Sequence, residues 1–63
     1  MGSLNNINEA WKTGYINGYK EITGKIPSIP PRPSSVPAGI FNQIEYFYQK
    51  GYVLGREDGQ NAR

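Results

Sequence analysis

The chain contains no cysteine and no histidine among its 63 residues. Without cysteine no disulfide can form, and without either residue the usual ligands of a structural zinc site are missing. Small domains often depend on one of these reinforcements, because they bury only about 60% of the surface that the unfolded chain exposes. The sequence therefore predicts one small domain over residues 1–63, of marginal stability and without a metal site.

Long apolar runs are also missing, since no stretch approaches the roughly 18 consecutive apolar residues of a membrane-spanning helix. The start of the chain does not read as a signal peptide, because the first basic residue is Lys12 and no apolar segment follows it. These two observations predict a cytoplasmic protein that makes no membrane contact.

The chain has little excess of either charge, since seven basic and five acidic residues give a net charge of +2. Basic and acidic residues cancel within residues 1–22 and within residues 40–63, so the excess comes from Lys25 and Arg32. A net charge this small does not by itself indicate a nucleic-acid-binding protein.

Side chains suited to catalysis are few. The five carboxylates have no histidine or cysteine beside them, and no glycine-rich loop joins a strand to a helix as a phosphate site requires. Glu57 and Asp58 are neighbours in sequence and therefore diverge around a helix. We expect no enzymatic activity, no cofactor and no small-molecule substrate.

A repeat organises the rest of the chain. Residues 11–18 and 48–55 both read aromatic-x-x-Gly-Tyr-aliphatic-x-Gly, at an offset of 37 residues. An interior glycine costs a helix about 0.8–1 kcal/mol relative to alanine, so these glycines need a compensating contact. Close approach of two helix backbones supplies one, and helices frayed at glycine are the alternative. The predicted helix-packing residues are Trp11, Gly14, Tyr15, Gly18, Tyr48, Gly51, Tyr52 and Gly55.

The first predicted helix covers about residues 6–22. Asn6 is suited to its N-cap with Glu9 as the capping-box partner, and Gly24 is suited to its end. The second predicted helix covers about residues 37–57. Ser34 or Ser35 is its expected cap, with Pro37 in the first turn.

The end of the second helix and its packing face follow from the same pattern. Gly59 is the expected stop, and residues 58–63 are expected to fray. Phe41, Ile44 and Tyr48 are expected on the packing stripe of this helix.

The segment between the helices, residues 23–36, is rich in proline and predicts an extended connector. It can return the chain to antiparallel packing or hold the helices apart, and Ile26, Ile29 and Val36 can lie across the helices as a lid. Pro27 to Arg32 also fit a P-x-x-P-x-R docking sequence, for which a rigid spacer is the alternative. The fold class is all-α: a helical hairpin with a proline-rich connector.

The eight aromatic residues carry most of the expected core. They are too few, with the available aliphatic side chains, to stabilise a lone pair of helices, so we expect a homodimer. Stacking platforms for nucleic-acid bases are the alternative use of these rings. Tyr46 and Phe47 fall outside the centre of the stripe and are the candidate partner contacts.

Two motifs flank the connector, namely Ala10-x-x-x-Gly14-Tyr15-x-x-Gly18 and Tyr48-x-x-Gly51-Tyr52-x-x-Gly55. This arrangement resembles the ribosome modulation factor family and its small phage-encoded relatives, which are two-helix proteins. The resemblance implies binding to the small ribosomal subunit and stabilisation of inactive, paired ribosomes. Under this hypothesis the candidate phosphate contacts are Lys25, Arg32, Lys50 and Arg56.

A second hypothesis of a different class is compatible with the same helices. In it the protein is an interaction module, such as a small phage-type inhibitor, that docks on a host protein through an aromatic helical face. Phosphate binding weakens steeply as the salt concentration rises, whereas an aromatic protein contact changes little. The expected partner is therefore ribosomal RNA or a host protein.

Overall fold

The computed structural model describes residues 6–63, which form two α-helices: α1 at Ile7–Thr23 and α2 at Gln43–Ala62. The helices pack against each other, and residues 24–42 join them without regular secondary structure. The predicted all-α fold with a proline-rich connector is thus confirmed. Within this described part, neither helix combines the length and the apolar character needed to cross a membrane.

Both ends of α1 follow the local signals in the sequence. The side chain of Asn6 accepts a hydrogen bond of 2.9 Å from the amide of Glu9, which satisfies one of the free donors at the helix start. Gly24 adopts a left-handed conformation, with φ of 74°, and donates its amide to the carbonyl of Lys20. The observed helix differs from the predicted one by a single residue at each end.

Helix α2 starts later than predicted and ends later. Its N-cap is Asn42, whose side chain accepts a 3.0 Å hydrogen bond from the amide of Glu45, so the cap predicted at Ser34 or Ser35 is wrong. The predicted stop at Gly59 and the frayed tail at residues 58–63 are also wrong, since the helix continues to Ala62. Gly59 is buried against the side chain of Ile22, and this contact compensates for its low helix propensity.

The two helices run parallel. Gly51 faces Trp11, Gly55 faces Tyr15 and, near the other end, Gly59 faces Ile22, so positions advance in the same direction along both helices. The connector must therefore return along the whole of α1, a length of about 25 Å. The extended geometry of a proline-rich segment, at about 3.1 Å per residue, covers this distance easily.

The interior glycines are points of contact between the helix backbones. A Cβ atom added to Gly14 would collide with the carbonyl oxygen of Tyr48, and one added to Gly51 would lie 2.5 Å from the carbonyl oxygen of Trp11. Gly18 and Gly55 meet the opposite backbone in the same way. Both segments are continuous helices, so the alternative of helices interrupted at glycine is wrong.

The core lies beside this contact and is covered by the connector. Ala10, Trp11 and Phe47 form its buried cluster, and Ile29 and Val36 of the connector pack against it. The lid expected from the connector is therefore present at these two positions. The third expected lid residue, Ile26, is 64% exposed and takes no part in it.

Candidate functional site

The 37-residue repeat extends to side-chain hydrogen bonds. The hydroxyl of Tyr15 donates to Asp58 Oδ2 at 2.5 Å, and the hydroxyl of Tyr52 donates to Glu21 Oε1 at 2.5 Å. The two donors occupy equivalent positions of the repeat, and so do the two acceptors. Sequence reasoning missed both bonds, although the matching positions of Glu21 and Asp58 were a signal for them.

Both tyrosines have a pKa raised above the ordinary value, so they stay protonated well above neutral pH. Burial, with the hydrogen bond and the negative charge of Asp58, raises the pKa of Tyr15 from 10.0 to about 12. The hydrogen bond to Glu21 is the main cause that raises the pKa of Tyr52. Near neutral pH the two hydroxyl groups are therefore hydrogen-bond donors that join the helices, with no tendency to act as bases.

The aromatic rings on the helices stack mainly on one another. Trp11 and Tyr15 have ring centroids 6.4 Å apart, as do their repeat equivalents Tyr48 and Tyr52. The hydroxyl of Tyr48 also accepts a hydrogen bond from Asn17. These contacts favour the packing role over the alternative of stacking platforms. The structure buries six of the predicted packing residues, namely Trp11, Gly14, Tyr15, Gly18, Gly51 and Gly55, and leaves Tyr48 and Tyr52 half-buried.

The two predicted partner contacts lie in or against the core. Phe47 is 0% exposed and cannot reach a partner, so this prediction is wrong. Its position in the repeat is equivalent to that of Ala10, and the two residues meet in the same buried cluster. Tyr46 is half-buried, with its ring edge-on to Phe47 at 5.2 Å, and leaves only part of its surface available.

The proline-rich docking sequence is used within the chain. Trp11 Nε1 donates a 2.9 Å hydrogen bond to the carbonyl of Pro30. Arg32 donates from Nε to Asn8 Oδ1 at 2.7 Å, and its guanidinium carbon lies 5.0 Å from the centre of the Phe47 ring. A partner that bound this sequence as an extended peptide would have to break these contacts.

The four candidate phosphate contacts do not form one basic surface. Arg32 is bound near the first turn of α1, whereas Lys25 follows its last turn, about 25 Å away by helix length. Arg56 Nη1 lies 3.6 Å from Glu21 Oε1, and its guanidinium carbon lies 5.9 Å from the centre of the Tyr52 ring. Lys50 is exposed on α2.

The most exposed apolar side chain of the described residues is Phe41, at 99%. It was predicted on the packing stripe, but the late start of α2 places it outside the helix, immediately before the N-cap Asn42. Two shallow clefts border it at the end of the molecule where both helices begin. We call this region the Phe41 surface; its other apolar members are Ile7, Ile40, Ile44 and Tyr46.

The Phe41 surface carries little charge. Among residues 6–63, Glu45 is the one carboxylate that lines either cleft, and no lysine or arginine of this range lines them. The other polar side chains are amides, which include the capping residues Asn6 and Asn42, and the hydroxyl of Tyr46. Chemically, this surface offers an aromatic anchor with aliphatic neighbours, beside the N-termini of both helices.

Comparison of the chain with protein-family models, with curated proteins and with solved structures finds no match. The resemblance to the ribosome modulation factor family therefore stays a prediction.

Proposed function

We propose that this chain is a non-enzymatic, cytoplasmic binding protein that docks on a partner protein through the Phe41 surface. The observation that carries the proposal is the 99% exposure of Phe41. Burying a phenylalanine side chain contributes about 1.5–3 kcal/mol. A partner that covers Phe41 gains this free energy without any rearrangement of the core.

Phe41 lies between a turn and the cap of α2. Asn42 caps α2 directly after it, and Gly39, with φ of 90°, turns the chain two residues before it. The cap fixes the backbone on the helix side of Phe41, which reduces the conformational freedom lost there when a partner binds. Central aromatic anchors of this kind typically supply most of the free energy of a protein interface.

The chemistry of the Phe41 surface also indicates what kind of binding site the partner has. Ile7, Ile40 and Ile44 line the clefts beside Phe41 with aliphatic groups, so the matching site on the partner is an apolar cavity. Glu45 is the charged group beside it, which favours a neutral or basic rim on the partner. This description fits a protein surface better than a nucleic acid backbone.

Ribosomal RNA, the partner that the family resemblance implies, has less support from the geometry. Arg32 and Arg56 are engaged by side chains and rings of the same molecule, and the four candidate cations are spread over the chain. A phosphate backbone is better matched by cations that share one face. We therefore treat RNA binding as an outcome that the experiment must detect.

The test is capture of partners from a lysate of the source cell, with and without nuclease, by the wild-type chain and two variants. Phe41→Ala should lose a protein partner that survives nuclease treatment. Ile26→Ala removes an exposed apolar side chain outside the Phe41 surface and should keep the protein partner. Loss of all capture after nuclease would establish RNA binding instead, and an unchanged Phe41→Ala variant would exclude the Phe41 surface.

A further inference from the structure

The outer face of α2 carries a stripe of side chains whose charges would pair with those of a second, antiparallel copy of the same stripe. Lys50, Val53, Leu54 and Glu57 occupy positions i, i+3, i+4 and i+7, which lie on one side of a helix. Val53 is 52% exposed, Lys50 and Glu57 are exposed, and Leu54 is half-buried. The stripe thus has an apolar centre with a cation at one end and an anion at the other.

The surface around the stripe alternates between ridge and groove. Val53 stands between two grooves, one on each side of the helix. The first groove runs between α2 and the connector, with Trp11 and Pro33 contributing to its walls. The second groove lies on the side of Tyr52 and Arg56. The lining of the first groove is mainly apolar.

We propose that a second copy of this chain docks on this stripe, with the two α2 helices antiparallel about a twofold axis between Val53 and Leu54. The midpoint of the stripe lies between these two residues, so rotation about that axis brings Lys50 of each copy opposite Glu57 of the other. The same rotation brings Val53 of each copy beside Val53 of the other, at the centre of the contact. One patch then serves both sides of the contact, as a twofold interface requires.

The order of charges selects the antiparallel arrangement. A parallel arrangement would place Lys50 beside Lys50 and Glu57 beside Glu57, which is unfavourable. The fold adds a second reason. Because α1 and α2 are parallel, their macrodipoles point the same way, and an antiparallel neighbour opposes both of them. The contact is also separate from the Phe41 surface, so either proposal can fail without the other.

A charge-reversal cycle tests the proposed contact by sedimentation equilibrium from micromolar to millimolar concentration at low salt. The wild-type chain should form dimers. Lys50→Glu creates two like-charge pairs in each dimer and should raise the dissociation constant about tenfold. The double variant Lys50→Glu with Glu57→Lys should return it to near the wild-type value. Lys12→Glu makes the same change of net charge on α1 and is the matched control.

A crosslinking experiment tests the position of the axis. The chain has no cysteine, so a Val53→Cys variant carries one thiol. This thiol lies next to the same thiol of the second copy across the axis. Mild oxidation should link it into a dimer on a denaturing gel, whereas Lys12→Cys should stay largely unlinked.

Three outcomes would overturn the proposal. These are a wild-type chain that stays monomeric at millimolar concentration, a dimer that Lys50→Glu leaves unchanged, and a double variant that does not recover.

Discussion

Tyr15 on α1 donates its hydroxyl to Asp58 on α2 at a distance of 2.5 Å. The bond connects residues 43 positions apart in sequence, and its repeat equivalent connects Tyr52 to Glu21. Each helix thus contributes one tyrosine and one carboxylate to the other. The two bonds cross between the helices in opposite directions, and together they resist rotation of one helix about its axis relative to the other.

Removing the Tyr15 hydroxyl should destabilise the fold. Tyr15 is 4% exposed, so Tyr15→Phe retains the buried ring and loses only the bond to the half-buried Asp58 carboxylate. We expect the free energy of unfolding to fall by about 1–2 kcal/mol, measured by urea denaturation. Tyr52→Phe, at the more exposed equivalent position, should have the smaller effect. Equal losses in the two variants would contradict this account.

Alkaline pH should destabilise the wild-type chain more than the Tyr15→Phe variant. The pKa of Tyr15 is raised from 10.0 in the unfolded chain to about 12 in the fold. The unfolded state therefore releases its proton first, and the stabilisation present below about pH 10 is lost as the pH rises towards 12. Urea midpoints measured across this range should fall more steeply for the wild type. Parallel pH profiles would show that Tyr15 has an ordinary pKa.

An added methyl group at Gly51 should separate the helices. In Gly51→Ala the new carbon would lie 2.5 Å from the carbonyl oxygen of Trp11, a backbone atom that cannot move alone. We expect a loss of about 3 kcal/mol, even though alanine favours the helix by about 1 kcal/mol. Thermal unfolding followed by circular dichroism measures it.

Gly59→Ala is the matched control for that experiment. The added carbon at this position would lie 3.0 Å from Ile22 Cβ, which is fixed to the α1 backbone, so the helices need to shift less than the 2.5 Å approach at Gly51 demands. The gain in helix propensity then offsets most of the strain, and we expect little change in stability. A Gly51→Ala variant more stable than the wild type would refute the role of the glycines as backbone contacts.

Arg32 should hold the connector against the helices. Arg32→Ala removes the bond to Asn8 and the contact with the Phe47 ring, and should cost about 1–2 kcal/mol. Trp11 is the only tryptophan and bonds to the connector at Pro30, so its fluorescence should shift to longer wavelength as water enters. Arg32→Lys should rescue little, because lysine lacks the planar fork. An unchanged emission spectrum in Arg32→Ala would show that the connector is held elsewhere.

The predictable part of the fold depends on interactions between neighbours in sequence. Asn6, Glu9 and Gly24 mark the ends of α1 because capping bonds span only three or four residues. The glycine spacing of the repeat likewise predicted a close helix contact, since a four-residue step keeps small residues on one face. The extended character of the connector follows from its prolines.

The exposure of Phe41 and the burial of Phe47 are the reverse of what the sequence pattern predicted. Phe41 was expected in the packing stripe and Phe47 at a partner surface, but the first is exposed and the second is fully buried. The error for Phe41 follows from the start of α2, where Asn42 supplies the cap instead of Ser34 or Ser35. All three residues are suitable caps, so the sequence alone does not distinguish them. Phe47 is buried because it lies four residues before Gly51, on the helix face that meets α1.

What the amino-acid sequence determined by itself was the presence of two helices, the limits of α1 and the small residues through which the helices meet. The tertiary structure alone decided that the helices are parallel, that Tyr15 bonds to Asp58, and that Arg32 is bound within the chain. The physical reason is the distance along the chain over which each interaction acts. Caps and helical periodicity act within one turn, whereas the direction of packing depends on how the whole connector lies across the core.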